Sequence, residues 1–129
     1  MQIYLLKNIQ VVNEGKIVVS DVLLKNGRIE KMAPAITLES DVIEIDGSGK
    51  YLLPGVIDDQ VHFREPGLTH KATIYTESKA AVAGGVTSFM EMPNTVPPTF
   101  TMELLEEKYK IAAATSLANY SFYIGVNNI

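Results

Sequence analysis

The chain has 129 residues, of which 47% are hydrophobic and 20% charged, and its formal net charge is −4. This balance is typical of a globular domain and excludes a disordered tail, while the negative charge argues against a nucleic-acid partner. The chain contains no cysteine, which excludes disulfides and thiolate metal sites. No apolar run is long enough for a membrane span, and the first residues lack the features of a signal peptide. We therefore expect a soluble, cytoplasmic protein with no membrane partner.

Residues 1–54 are predicted to form a small β-rich subdomain without a long helix. Short runs rich in β-branched residues alternate with turn residues, at 3–6, 11–12, 17–19, 22–25, 28–32 and 42–45. The sharpest local signal is Asn26-Gly27, because both residue types accept the positive φ of a two-residue type I′ hairpin. We expect an antiparallel, sandwich-like layer in which DVLLK pairs with RIEKM.

From Gly55 onward the pattern changes to alternating strands and helices. Strands are predicted at 56–63, 86–92 and 118–126, and helices at about 71–83 and 101–117. This order is typical of a parallel α/β fold. A closed (β/α)8 barrel takes roughly 250 residues. Residues 55–129 are therefore expected to be the first β/α units of an incomplete TIM-type barrel, in a fragment of a longer protein.

Polar residues gather at the end of the first of these strands, in the segment GVIDDQVHFREPG. The strand is expected to be buried, and Asp58, Gln60, His62 and Arg64 would share one face because alternate strand residues point the same way. Active sites of parallel α/β folds form at this carboxyl end. Imidazole can ligate zinc, and guanidinium can bind a carboxylate through two hydrogen bonds. The alternative interpretation of His62 is a hydrogen-bonded histidine at the sheet rim that takes no part in chemistry.

Two segments, LPGVIDDQVHFREPG and AAVAGGVTSFMEMPNTVP, resemble the opening motifs of the dihydroorotases, which are cyclic amidohydrolases of the amidohydrolase superfamily. The order and spacing of HFREPG, GGVT and MPNT are specific, and the resemblance covers essentially the whole chain. It implies reversible hydrolysis of dihydroorotate to N-carbamoyl-aspartate in pyrimidine biosynthesis. It also implies one or two zinc ions as cofactor, which activate the attacking water.

The resemblance also implies roles for individual residues. The usual His-x-His-x-Arg motif corresponds here to QVHFR, residues 60–64. His62 matches a zinc ligand, and Arg64 matches the arginine that binds the substrate carboxylate. Asn94, in MPNT, matches the asparagine that helps Arg64 to hold that carboxylate. Asp58 matches an aspartate near the strand end that would support the metal ligands.

Gln60 departs from the family pattern, because it stands where the first histidine of the motif is expected. A glutamine carbonyl oxygen is a weaker zinc ligand than imidazole. Three explanations are open: a subgroup with an altered or single metal, a catalytically inactive homologue, or Gln60 as an oxygen ligand. Retention of Arg64 and Asn94 favours the first.

The remaining family machinery is expected outside this chain, since the carboxylated lysine, the later histidine ligands and the aspartate general base all come from later strands. No catalytic residue is therefore expected within residues 1–129, and the fragment itself should be inactive. The expected partner is a small-molecule substrate, and a homodimer is implied by analogy.

Three alternatives compete with a dihydroorotase. An allantoinase or dihydropyrimidinase has a neutral ring as substrate and less use for Arg64. A non-catalytic dihydroorotase-like structural partner would account for Gln60. A stand-alone α/β binding module would account for the short chain.

Overall fold

The computed structural model describes residues 2–39 and 41–126. The chain forms two compact units, Met1–Pro54 and Gly55–Ile129. No helix in the described part is both long and apolar enough to cross a membrane.

The first unit is a five-stranded sheet built around its first strand. The strands are β1 (Ile3–Asn13), β2 (Lys16–Lys25), β3 (Arg28–Ala33), β4 (Ile43–Asp46) and β5 (Tyr51–Leu52). β1, β2 and β3 pair antiparallel in sequence, and Lys25 lies opposite Arg28 across the predicted Asn26-Gly27 turn. Both turn residues have positive φ, 54° and 70°, which confirms the hairpin.

The prediction of a purely antiparallel layer is wrong. β4 and β5 both pair parallel with β1, so the sheet is mixed, and the described residues of this unit form one sheet and not a sandwich of two. The reason is that the long connection after β3 brings the chain back along β1. No local turn signal encodes such a distant pairing.

A buried carboxylate holds an irregularity in β1. The register with β2 shifts between Leu6 and Ile9, where Asn8 has a φ of 56°. Asp21 accepts hydrogen bonds at 2.9 Å from the backbone amides of Asn8 and Ile36, and its Oδ2 lies 2.8 Å from Lys7 Nζ. The Lys7 ammonium, followed by the two amides, lowers the pKa of Asp21 to about 2.

The second unit is a three-stranded parallel sheet with two helices. Its elements, in chain order, are β6 (Val56–Val61), α1 (Ile74–Ala83), β7 (Val86–Glu91), α2 (Met102–Thr115) and β8 (Asn119–Phe122). The strands lie side by side in the order β6-β7-β8. The predicted alternation of strands and helices is thus confirmed, with elements shorter than expected at their ends.

The helices begin at threonine caps and pack over an aromatic core. The Thr73 and Thr101 side chains accept hydrogen bonds from the amides of Thr76 and Leu104, which satisfies donors that a helix start leaves free. The buried core of this unit comprises Phe63, Ile74, Phe89, Ala112 and Phe122. This core fixes the ends of the strands on which the polar residues lie.

The prediction that the first barrel strand is buried is wrong for the described structure. Val56 and Ile57 on β6 are 55% and 68% exposed. β6 is an edge strand that pairs only with β7 among the described residues, so its apolar side chains have few neighbours.

Candidate functional site

The polar residues singled out from the sequence lie on the segments that follow two neighbouring parallel strands. His62 and Arg64 come directly after β6, and Asn94 comes three residues after the end of β7. Because β6 and β7 are parallel and paired, their carboxyl ends lie at the same edge of the sheet. This is the edge where parallel α/β folds place their ligands.

His62 and Asn94 are in direct contact. Nδ1 of His62 lies 2.9 Å from Oδ1 of Asn94, across 32 positions of sequence. With the amide oxygen as acceptor, Nδ1 carries the proton and Nε2 keeps its lone pair. The Asn94 contact thus presents His62 in the tautomer that ligates a metal through Nε2. The amide nitrogen of Asn94 remains available as a donor.

Arg64 occupies a tight turn of the backbone. Its φ is 72°, a left-handed conformation that is uncommon for a residue with a side chain. Its amide donates a 2.9 Å hydrogen bond to Oε1 of Glu91, at the end of β7. Among the described residues the Arg64 guanidinium forms no ion pair, so its charge is available to an anionic ligand.

Asp58, Gln60, His62 and Arg64 were predicted to share one face of a strand, but the strand ends before His62. β6 ends at Val61, and its register with β7 shifts between Asp58 and Val61. The left-handed turn at Arg64 then interrupts the strand alternation altogether. Asp58 lies beside the motif, with its Oδ1 accepting a 3.2 Å hydrogen bond from the Gln60 amide.

The two segments that carry Arg64 and Asn94 are also joined farther along. The Val96 amide donates to the Pro66 carbonyl at 3.2 Å. Gly67 has a φ of 82°, and a Cβ there would collide with the Val96 carbonyl oxygen, so only glycine allows this approach. Glu65 accepts a hydrogen bond from the Ile74 amide at 2.8 Å and so connects the first loop to the start of α1.

A buried ion pair lies behind these loops, and we did not predict it from the sequence. Glu91 Oε2 lies 3.0 Å from Lys108 Nζ, and the two side chains are 1% and 0% exposed. Lys108 also donates to the Met92 carbonyl at 3.2 Å, and its Nζ lies 4.8 Å from the centre of the Phe122 ring. Burial raises the pKa of the Glu91 carboxyl and lowers the pKa of the Lys108 ammonium.

A signal for this pair is present in the sequence. Lys108 falls between Leu105 and Ala112 at spacings of three and four, which puts a charge on the apolar stripe of α2. A charged residue on such a stripe requires a buried partner. Glu91, at the end of an apolar strand, meets that requirement.

The donor set of the described residues fits part of a zinc site but not a whole one. No group of three or more His, Cys, Asp or Glu side chains within the described ranges could hold a metal ion. Tetrahedral zinc takes four ligands, three of them from protein in a catalytic site. This part of the chain could supply Nε2 of His62 and the amide oxygen of Gln60, and further ligands would have to come from elsewhere.

Comparison with known proteins identifies a family. The sequence model of the dihydro-orotase-like family matches residues 49–127. A dihydroorotase of Carboxydothermus hydrogenoformans is 52% identical over 91 residues, which cover 70% of this chain and 21% of that protein. A dihydroorotase of Listeria welshimeri is 43% identical over 122 residues, which cover 92% of this chain and 28% of that protein. The chain thus spans between a fifth and a third of the length of these curated relatives.

The fold is also found in a solved enzyme structure. The L-hydantoinase (dihydropyrimidinase) of Arthrobacter aurescens superposes with a TM-score of 0.89 at 31% identity. The match covers 97% of this chain and 28% of that structure. The chain therefore has the mixed α/β architecture of the corresponding part of that hydantoinase. Together with the family match, this shows that the chain belongs to the dihydroorotase-like family of amidohydrolases.

Proposed function

We propose that the protein containing this chain is a dihydroorotase, which opens the ring of dihydroorotate to N-carbamoyl-aspartate in pyrimidine biosynthesis. The observation that carries the proposal is the 2.9 Å contact between His62 and Asn94. It joins the segment with the proposed metal ligand to the segment with a carboxylate-binding residue. The names of the 43% and 52% identical relatives support the same activity.

The proposed architecture is the opening of a (β/α)8 barrel preceded by a β-rich subdomain. Its support is the order β6-β7-β8, in which consecutive parallel strands are also spatial neighbours. A barrel has this sequential order throughout, whereas an open doubly wound sheet reverses direction at a switch point.

In the proposed mechanism this chain binds and orients the substrate. Arg64 binds the dihydroorotate carboxylate through paired charge-assisted hydrogen bonds, and the Asn94 amide nitrogen donates to the same group. His62 would hold zinc through Nε2, and Gln60 would offer an oxygen ligand beside it. When bound, zinc would supply Lewis-acid activation of water and of the ring carbonyl. We further propose a cytoplasmic homodimer, by analogy alone.

A second candidate is a hydrolase of neutral rings, such as a hydantoinase or dihydropyrimidinase. The close superposition on the Arthrobacter aurescens enzyme favours it. The discriminating residue is Arg64, because a ring without a carboxylate offers its guanidinium no anionic partner.

The test is turnover by the full-length gene product. Ring opening is measured for dihydroorotate, dihydrouracil and hydantoin, with bound zinc counted in the same sample. We expect metal-dependent hydrolysis of dihydroorotate in preference to the two rings that lack a carboxylate. Preference for the neutral rings would support the second candidate. Absence of turnover in a folded, zinc-loaded protein would support a non-catalytic structural partner.

A further inference from the structure

The buried ion pair of Glu91 and Lys108 connects two separate elements of the second unit. Glu91 is the last residue of β7, and Lys108 lies in the middle of α2. Both are buried, and their charged atoms lie 3.0 Å apart. Replacing a buried ion pair by apolar residues is often neutral or stabilising, so stability alone is a weak reason for such a pair.

Each member of the pair makes a second contact, and both contacts are to backbone that leads to the candidate site. Oε1 of Glu91 accepts the Arg64 amide at 2.9 Å, where the backbone is left-handed. Nζ of Lys108 donates to the Met92 carbonyl at 3.2 Å, two residues before Asn94. One carboxylate therefore holds the turn of Arg64, and one ammonium holds the segment of Asn94.

The geometry points to Glu91 and Lys108 as positioning residues for the substrate carboxylate, an inference that rests on the proposed function. They hold the backbone at Arg64 and near Asn94. They do not contact the substrate themselves and act only through those two residues. Their ion pair sets the spacing between the two backbone segments. Displacing such substrate-binding side chains by about 1 Å can lower the rate about a hundredfold.

Two double variants of the full-length protein separate positioning from packing. Glu91→Gln/Lys108→Met removes both charges and keeps a side-chain oxygen that can accept the Arg64 amide. Glu91→Leu/Lys108→Met removes both charges and that acceptor. Neither leaves a buried charge without a partner, so both variants should fold.

The measurements are KM and kcat for dihydroorotate, together with hydrogen exchange of the peptide that contains Arg64. In the variant with leucine we expect KM to rise at least about tenfold and exchange to accelerate, because the turn loses its acceptor. In the variant with glutamine we expect protected exchange and a KM only about threefold above wild type, because the acceptor of the Arg64 amide remains while the ion pair and the Lys108 contact with Met92 are lost.

Equal KM values and equal exchange in the two double variants would overturn the inference, because the acceptor would then have no effect. Failure of the proposed function is seen separately, since the wild-type protein would then not open dihydroorotate at all. If the wild-type protein does not open dihydroorotate, the proposed function and the positioning role of Glu91 and Lys108 are both overturned.

Discussion

Gln60 lies two residues before His62 at the end of β6, and its side chain offers zinc an amide oxygen where imidazole is the better donor. We predict that Gln60→His in the full-length protein raises bound zinc by up to about one ion per chain. The measurement is metal analysis after dialysis against equal zinc. Gln10→His, on β1 of the other unit, is the matched control and should leave the zinc content unchanged. The same zinc content in Gln60→His and wild type would show that position 60 does not face the metal.

Residues with distinctive chemistry were predictable one by one, whereas residues that act through the backbone were not. His62, Arg64 and Asn94 stood out because imidazole, guanidinium and amide groups follow strand ends within specific motifs. Their assigned roles stay predictions. Glu91 and Lys108 were missed as a pair, because Lys108 falls on the apolar stripe of α2 but nothing in the sequence identifies Glu91, 17 positions away, as its partner. Only the fold brings them to within 3.0 Å.

The approach of the two loops after β6 and β7 depends on a glycine. Gly67 and Gly85 both have positive φ, 82° and 92°, but only at Gly67 would a Cβ collide with another segment. We predict that Gly85→Ala lowers the free energy of unfolding by about 1–2 kcal/mol, the cost of a left-handed conformation. Gly67→Ala should cost about 1–3 kcal/mol more, because it also overpacks the contact with Val96. Urea denaturation of both variants tests this difference, and equal losses would contradict the close approach.

In the β-rich unit, Asp21 makes stability depend on pH. Its pKa is lowered to about 2 in the folded state, so its stabilising effect is complete above the ordinary value of 3.8 and is lost as the pH falls through about 2. We predict that Asp21→Asn lowers the free energy of unfolding by about 1–3 kcal/mol at pH 7. The difference from wild type should shrink between pH 4 and pH 2 in urea denaturation followed by circular dichroism. Glu39→Gln, at an exposed position, is the control. A difference independent of pH would contradict this role of the carboxylate.

The elements that could be predicted were those marked by a turn sequence or by a change of hydrophobic period within the segment itself. Asn26-Gly27 fixed the β2–β3 hairpin, and the change of period after Gly55 predicted the order of β6 to β8. The parallel pairing of β4 and β5 with β1 was not predictable, because it joins segments about 40 residues apart that no single local turn connects. The start of α2 was predicted at 101, the position of its Thr101 cap, whereas α1 was predicted from about 71 and begins only at Ile74, after the Thr73 cap.

At the scale of the whole molecule, the chain consists of two compact units, and it spans 21% and 28% of the two dihydroorotases compared above. Its proposed contribution is substrate recognition more than proton transfer. The second unit offers a guanidinium, an amide and an imidazole on adjacent loops, and its described residues hold no complete metal site. We therefore propose Arg64 as the main group that recognises the substrate carboxylate.

The most direct test is the KM for dihydroorotate of the full-length protein in its wild-type, Arg64→Ala and Arg28→Ala forms. Arg28 lies exposed in the β2–β3 hairpin and serves as the matched control for loss of an arginine. Loss of a charge-assisted pair predicts a KM about tenfold to a hundredfold higher in Arg64→Ala and unchanged in Arg28→Ala. A wild-type KM in Arg64→Ala would contradict the account, because the substrate carboxylate would then be recognised elsewhere.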